Sequence, residues 1–492
     1  MAWNRIAVLV VGSACIPVLV YGGDWTQFRG PNNSGIADSQ APSEWSIDKN
    51  LAWKEKVPGY GWSSPIIVGD KIIVTTAVSD KQKRPQPFMM GGGGGGGPGR
   101  FGPPGGGKGK GGPPPGGFGK GGPGGMFGDM KPPDAVYRWE IHCLDRNTGK
   151  TVWSKVALEQ KPTIPANMGN TFASETPVSD GERIYAYFGM HGLYCYDLAG
   201  KEVWKKDLGS FPMMAGWGTG SSPALDGDRV FILCDNDKKS FLAAFDKKTG
   251  DELWKVPRGE GSNWSTPFIW RNKRRTEIVA VGGKGVLSYD PADGKVLWEL
   301  KEAAPGGGRG GPGGGRGGPP GMAPSANATP VGNDEMLFVG RGAMFGGSPL
   351  WAIKAGASGD ISLKAGQTSN DSIAWSSPKA GPPMASPLLY KDLLYIFPQY
   401  GNNPFTCYDA KTGKPVYTHR LDGSAGFTSS PWAHDGKIYC LDQSGQTFVF
   451  QAGREFKLLA KNEIKDMFWS TPAVARDALY LRGADRLYCV KQ

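Results

Sequence analysis

The stretch Asp246-Lys247-Lys248-Thr249-Gly250-Asp251-Glu252-Leu253-Trp254 reads as a tight turn feeding a short strand that ends on a tryptophan. The aspartate side chain can accept the turn's amide hydrogens. The glycine supplies a left-handed backbone position. The tryptophan is a large plate suited to wedging against a neighbouring layer. Upstream lie Ser222-Pro223-Ala224-Leu225, Arg229 to Cys234 and Leu242 to Phe245, short runs with the composition of strands. Asp226-Gly227-Asp228 joins the first two as a hairpin turn. One unit therefore holds four strands, here lettered A to D in chain order.

The unit recurs. A Ser/Thr-Pro pair opens an apolar strand at Pro65, Pro177, Pro223, Pro267, Pro330, Pro387, Pro431 and Pro472, with a period of 41 to 46 residues where no insertion intervenes. The turn and its aromatic residue recur as Asp145…Gly149…Trp153, Asp197…Gly200…Trp204, Asp290…Gly294…Trp298 and Asp409…Gly413…Tyr417. Four short strands repeated at this period are the signature of a β-propeller. The expected fold is all-β: eight blades around one axis. The last unit, Ser470 to Val490, lacks its strand D, and Leu51-Ala52-Trp53-Lys54 reads as a strand D without a blade. Pairing the two closes the ring and removes an open edge. Blades five and seven lack the full turn motif, and Trp375 is the candidate docking residue for blade five.

The Asp-x-x-Thr-Gly-Lys-x-x-Trp pattern resembles the tryptophan-docking motif of the pyrroloquinoline-quinone-type repeat propellers. That group includes quinoprotein alcohol dehydrogenases and BamB-like outer-membrane assembly lipoproteins. The opening Asp24-Trp25-Thr26-Gln27-Phe28-Arg29-Gly30-Pro31 is similar to that of exported bacterial propellers of the same kind. The resemblance spans Asp24 to Gln492 apart from two Gly-rich tracts. It implies a cell-envelope binding or protein-interaction scaffold, with a quinone-dependent dehydrogenase as one alternative; a glycan-binding propeller is the other. In such dehydrogenases the quinone stacks on a tryptophan, in many members against a vicinal disulfide. Calcium sits among carboxylate and amide ligands, and an aspartate is the base. No Cys-Cys pair occurs in this sequence, so no cofactor is expected.

The formal charge of +11 invites a nucleic-acid reading, but its distribution does not support one. The Gly/Pro/Lys-rich insertion at 81–133, in blade one, carries most of the excess, and the Gly/Arg-rich insertion at 303–323, between blades four and five, adds Arg309 and Arg316. The remaining body is close to neutral and makes no electrostatic footprint for a phosphate backbone. Both tracts lack the apolar residues that offset chain entropy, so they are expected to be disordered. Residues 1–22 read as a secretory leader: Arg5 precedes the apolar run Ile6 to Val20, which is too short for a membrane span. The expected product is an exported, monomeric propeller, periplasmic or extracellular, at residues 23–492. A lipid anchor at Cys15 is disfavoured because Gly12 stands where an aliphatic residue belongs. An envelope protein or a polysaccharide is the expected partner.

Cys143, Cys195, Cys407 and Cys489 share one strand-C slot, where other blades place Ala244, Ser288 and Ala352. A slot that takes Cys, Ala or Ser selects for small volume, so free thiols are expected there and at Cys234 and Cys440. The chain has four histidines without metal-ligand spacing and no nucleophile elbow or phosphate loop. Just ahead of the Ser/Thr-Pro pairs stand Trp62, Phe172, Trp217, Trp264, Phe427 and Trp469. They are expected around the mouth of the central channel, where an aromatic rim can stack a sugar ring, a flat cofactor or an apolar peptide.

Overall fold

The computed structural model describes residues 23–38, 41–86, 130–301, 325–342, 348–401 and 403–492. The leader, Cys15 and the greater part of both Gly-rich insertions lie outside the described residues. Eight antiparallel sheets of the same order follow one another along the chain, which makes the fold an eight-bladed propeller. In blade three, strands A to D are Ala224–Asp226, Arg229–Cys234, Phe241–Asp246 and Glu252–Pro257. Every innermost strand begins one residue after the repeat proline, as at Ile66, Val178 and Ala224. That placement follows from proline chemistry: the residue before it is held extended, and the missing N–H falls where a strand faces the channel and has no partner.

The ring closes as the sequence implied. Leu51–Lys56 pairs antiparallel with Arg486–Lys491 and supplies blade eight with its strand D. The four strands of that blade thus come from both ends of the described chain.

A second regularity sets the shape of each blade. The small strand-C residue lies directly opposite the outer-strand aromatic: Cys143 faces Trp153, Cys195 faces Trp204, Ala244 faces Trp254 and Cys407 faces Tyr417. Cys489 faces Trp53, Ser288 faces Trp298 and Ala352 faces Trp375. In blade seven both partners change together, Val449 opposite Ala460. A large plate on one strand therefore goes with a small residue across from it. The C–D pair also carries a bulge at this point in each of these blades. A bulge raises local twist and bends the strand, which aims the outer aromatic at the next blade. The six described cysteines are free and all but Cys234 are buried. Burial pushes the Cys143, Cys195 and Cys489 thiols up to about 12, so they are inert packing groups.

Five of the aimed tryptophans land on the turn of the following blade. Trp204 Nε1 donates to Lys247 O (3.1 Å), Trp153 Nε1 to Leu198 O (3.1 Å) and Trp254 Nε1 to Pro291 O (3.1 Å). Trp53 reaches Arg146 O (3.2 Å), and Trp375 reaches Ala410 O (2.9 Å). The ring lies on the turn glycine. A Cβ on Gly250, where φ is +75°, would meet Trp204 Cε3 at 2.6 Å, and Gly149, Gly200, Gly294 and Gly413 face their tryptophans in the same way.

Trp298 departs from this pattern. Its Nε1 donates to Glu277 Oε2 (2.6 Å) inside blade four. The reason is local: the turn glycine of blade five, Gly356, faces Arg274 instead of Trp298, and a short parallel strand, Gly359–Asp360, covers the edge of blade four beside Trp298. This fifth strand was not legible in the sequence.

The N-terminal segment does more than lead into the closing strand. Trp25 exchanges backbone hydrogen bonds with Ile67 of blade one (3.0 and 2.8 Å), and Thr26 O accepts from Ser179 of blade two (2.8 Å). Arg29 Nη2 donates to Pro387 O of blade six (2.7 Å). Ala37 and Gly35 pair with Ala433 of blade seven (both 2.9 Å). The opening motif is thus a crossbar laid over the channel from one side of the ring to the other.

Two outcomes test this architecture. Deleting Asn50 to Lys56 removes the outer strand of blade eight, and thermal unfolding is expected to lose at least ~5 °C in midpoint or to give no folded protein. Gly250→Ala forces a side chain into a left-handed position against Trp204, with an expected loss of about 1–2 kcal/mol in a denaturant titration.

Candidate functional site

Eight hydroxyl residues stand immediately before the repeat prolines: Ser64, Thr176, Ser222, Thr266, Thr329, Ser386, Ser430 and Thr471. All eight line one cavity on the channel axis. They are bonded in sequence round the ring. The backbone N–H of Ser64 donates to Thr176 Oγ1 (2.9 Å), that of Thr176 to Ser222 Oγ (2.9 Å) and that of Ser222 to Thr266 Oγ1 (3.1 Å). The series continues through Thr329 (3.2 Å), Ser386 (3.0 Å), Ser430 (3.1 Å) and Thr471 (3.0 Å). At the junction of blades eight and one, Ser470 Oγ donates to Trp62 O (2.9 Å). Seven of these hydroxyl oxygens are therefore acceptors for the preceding blade. Each keeps its own proton, and no described residue accepts it. The sequence displayed these residues as repeat markers, but nothing in a linear pattern says that eight hydroxyls point at one axis.

The cavity above the ring holds about 580 Å³, well inside the roughly 300–1,000 Å³ of small-ligand pockets. Four of the six expected rim aromatics line it: Trp62, Trp217, Trp264 and Trp469. They stand as two pairs. Trp62 stacks on Trp469 (centroids 5.7 Å) across blades eight and one, and Trp217 lies against Trp264 (5.7 Å) across blades three and four. Trp62 Nε1 and Trp264 Nε1 are fixed by Gly169 O and Gly218 O, both at 2.7 Å.

Phe172 and Phe427 do not join them. Phe172 packs edge-on against Tyr137 (5.1 Å), and Phe427, 1% exposed, packs against Phe397 (5.2 Å). Both lack a polar edge atom that would hold the ring at the wet rim, so they turn into the apolar layer between loops. Between the tryptophan pairs the wall carries amides, among them Asn167, Asn170, Asn327, Gln399 and Gln443. The crossbar closes the bottom, with Phe28 facing the cavity. The described flanks of both insertions open on this face: Gln86 N–H donates to Met168 O (2.9 Å) beside Asn167, and Asn327 itself lines the wall.

No Asp, Glu, Lys, Arg, His or Cys lines this funnel among the described residues. Tyr400 is its one phenol, and burial raises its pKa above the ordinary value, so it stays protonated. Charged groups sit behind the wall. Arg29 is wholly buried, with Nη2 on Pro387 O (2.7 Å) and Ser34 O (3.2 Å), and burial pulls its pKa down to about 9. Arg482 binds Ser63 O (2.8 Å) and Thr75 O (2.6 Å), likewise pulled down to about 9. These guanidiniums staple carbonyls at the inner rim. Glu175, between the lining residues Ser174 and Thr176, is buried, and its Oε2 accepts from Ser174 N–H (3.2 Å). Desolvation raises its pKa to about 7, against the ordinary 4.5.

A quinone with calcium does not fit these residues. The cation needs carboxylate oxygens, and no group of three His, Cys, Asp or Glu side chains comes together among the described residues. The quinone's own carboxylates need basic side chains, and the funnel wall has none among its described residues.

Residues 138–314 match the family model described as outer membrane protein assembly factor BamB. That stretch runs from strand C of blade one past strand D of blade four. Among solved structures, the quinohemoprotein alcohol dehydrogenase of Comamonas testosteroni superposes with a TM-score of 0.53 and 11% identity, over 95% of this chain and 80% of that one. The quinohemoprotein alcohol dehydrogenase ADHIIG of Pseudomonas putida HK5 gives 0.52 and 9%, over 95% and 80%. BamB from Moraxella catarrhalis gives 0.49 and 12%, over 72% and 88%. No curated protein matches the sequence. No described helix is long and apolar enough to cross a membrane.

The buried carboxyl behind the wall yields a pH prediction. Glu175 holds its proton in the folded chain up to about pH 7, while the unfolded chain releases it near 4.5. Its contribution to stability is full below pH 4.5, falls as pH rises towards 7 and is gone above that. Glu175→Gln should remove this slope, leaving the variant on the order of 3 kcal/mol more stable relative to wild type at pH 8 than at pH 4. Urea midpoints at the two pH values measure it.

Proposed function

We propose that this chain, a propeller of the superfamily that holds BamB-like assembly factors and quinoprotein alcohol dehydrogenases, is a binding module without catalytic activity. The observation that carries this reading is the chemistry of the funnel wall: tryptophans, amides and hydroxyls, with no Asp, Glu, Lys, Arg, His or Cys among its described residues. General acid–base work requires a titratable group within reach of the reacting atoms. Nucleophilic catalysis requires an activated nucleophile, and the six described cysteines are unpaired, with five of them sealed in strands. Aromatic anchors in a concave site suit binding instead, since such residues dominate interface energies.

The propeller supplies what a binding module needs. Its loops are displayed on a rigid disc, and both Gly-rich insertions depart from the face that carries the funnel. The leader-like residues 1–22 support a place in the cell envelope or outside the cell, and an envelope protein or polysaccharide as partner. The lack of cationic side chains among the wall's described residues and the near-neutral body argue against nucleic acid.

The test is reconstitution of the purified protein with pyrroloquinoline quinone and Ca²⁺, followed by dye reduction with simple alcohols. No saturable quinone binding and no turnover above background are expected. Tight quinone binding with alcohol-dependent dye reduction would replace the binding reading with the dehydrogenase one.

A further inference from the structure

Four features of the funnel bear on what it takes: the two tryptophan pairs, the amide wall, the hydroxyl ring and the closed floor. We infer that the ligand is the end of an uncharged saccharide chain, whose terminal ring enters between the tryptophan pairs and meets the hydroxyl ring. The inference rests on the binding reading above and names the chemical class for that same site.

Sugars present two kinds of surface at once. The faces of a pyranose are covered by C–H groups and stack on indole planes, which Trp62 with Trp469 and Trp217 with Trp264 provide on two arcs of the wall. The edges carry hydroxyls that both donate and accept. Amide side chains do the same, and Asn327, Gln399 and Gln443 stand in the wall between the arcs.

The ring makes the stronger demand. Seven of its hydroxyl oxygens already accept one backbone N–H each, so what each still holds for a ligand is its proton and one lone pair. A ligand that fills this space must bring acceptor oxygens, because displacing water from unsatisfied donors costs free energy. Sugar hydroxyl and ring oxygens meet that need. An apolar side chain does not. A carboxylate would accept these protons, but no basic side chain reaches the described wall to neutralise it; Arg29 and Arg482 are sealed behind the rim.

The floor fixes the mode of entry. The crossbar from Trp25 to Ala37 spans the ring, and Phe28 closes the cavity from below. A polymer cannot thread through a blind funnel. It can only insert an end, so capture should follow the number of chain ends rather than polymer mass.

The experiment is a quenching titration of tryptophan fluorescence with cello-, malto- and chito-oligosaccharides, alongside a uronate oligosaccharide and a phenylalanine-containing tripeptide. At least one neutral series is expected to saturate, with equal affinity per chain end for short and long members. The uronate is expected to bind at least about tenfold more weakly. Trp264→Ala with Trp469→Ala should weaken binding by at least about tenfold. Asn327→Ala with Gln443→Ala removes only wall amides and guards against a folding defect; it should weaken saccharides and spare any purely apolar ligand. Binding of the peptide but of no saccharide overturns the saccharide inference and leaves the binding funnel standing. A uronate that binds best overturns its uncharged character. Affinity that grows with chain length beyond the funnel overturns end capture. No binding by any member overturns both this inference and the reading beneath it.

Discussion

In seven of the eight blades the innermost strand gives the hydroxyl before its proline to the backbone of its neighbour. This bond, repeated in seven links between 2.9 and 3.2 Å, is the constraint on which the rest depends. It is short, so it sets how closely blades approach at the axis. It uses the oxygen as acceptor, so it leaves seven hydroxyl protons free for whatever fills the cavity. The proline after each hydroxyl is part of the same device. It holds the preceding residue extended and leaves no stray N–H on the channel side. At the periphery the outer tryptophans set the complementary spacing by resting on the next turn. The wedge shape of a blade follows from these two contacts, narrow at the hydroxyl and wide at the indole. The crossbar then turns an open tunnel into a funnel with one entrance.

Much of this was legible in the sequence because it repeats. The Ser/Thr-Pro pairs and Asp…Gly…Trp turns mark the blades, and strand B of blade three was read with the bounds the structure gives, Arg229–Cys234. The missing strand D of the last blade pointed to Leu51-Ala52-Trp53-Lys54, within the strand Leu51–Lys56, because an unfinished sheet leaves an edge that needs a partner. The alternation of Cys, Ala and Ser in one slot was read as a demand for small volume, and the facing tryptophan is its cause.

What escaped notice was not periodic. The crossbar occurs once, so its residues had nothing to align with, although Asp24 to Pro31 stood out as a motif. The parallel strand Gly359–Asp360 is only a residue pair long, and its sequence carries no strand signal. Trp298 has the motif but not the landing site, because docking depends on the next blade and the turn glycine of blade five, Gly356, faces Arg274. At the rim, position alone did not separate Trp from Phe. The indole N–H of Trp62 and Trp264 finds a carbonyl and holds the ring at the cavity, whereas Phe172 and Phe427 follow their apolar surface inward. The neutrality of the wall was half visible: the sequence lacks catalytic motifs, but only the fold tells which of its many charges face the axis.

The account stands on the funnel being the place where a ligand meets this propeller. A crystal structure of the protein with its tightest-binding small ligand addresses that most directly. The account predicts the ligand between the Trp62–Trp469 and Trp217–Trp264 pairs, with an acceptor oxygen within hydrogen-bond distance of the hydroxyl ring. A ligand seated instead on the outer strands or on the opposite face, with the funnel holding only solvent, would contradict it.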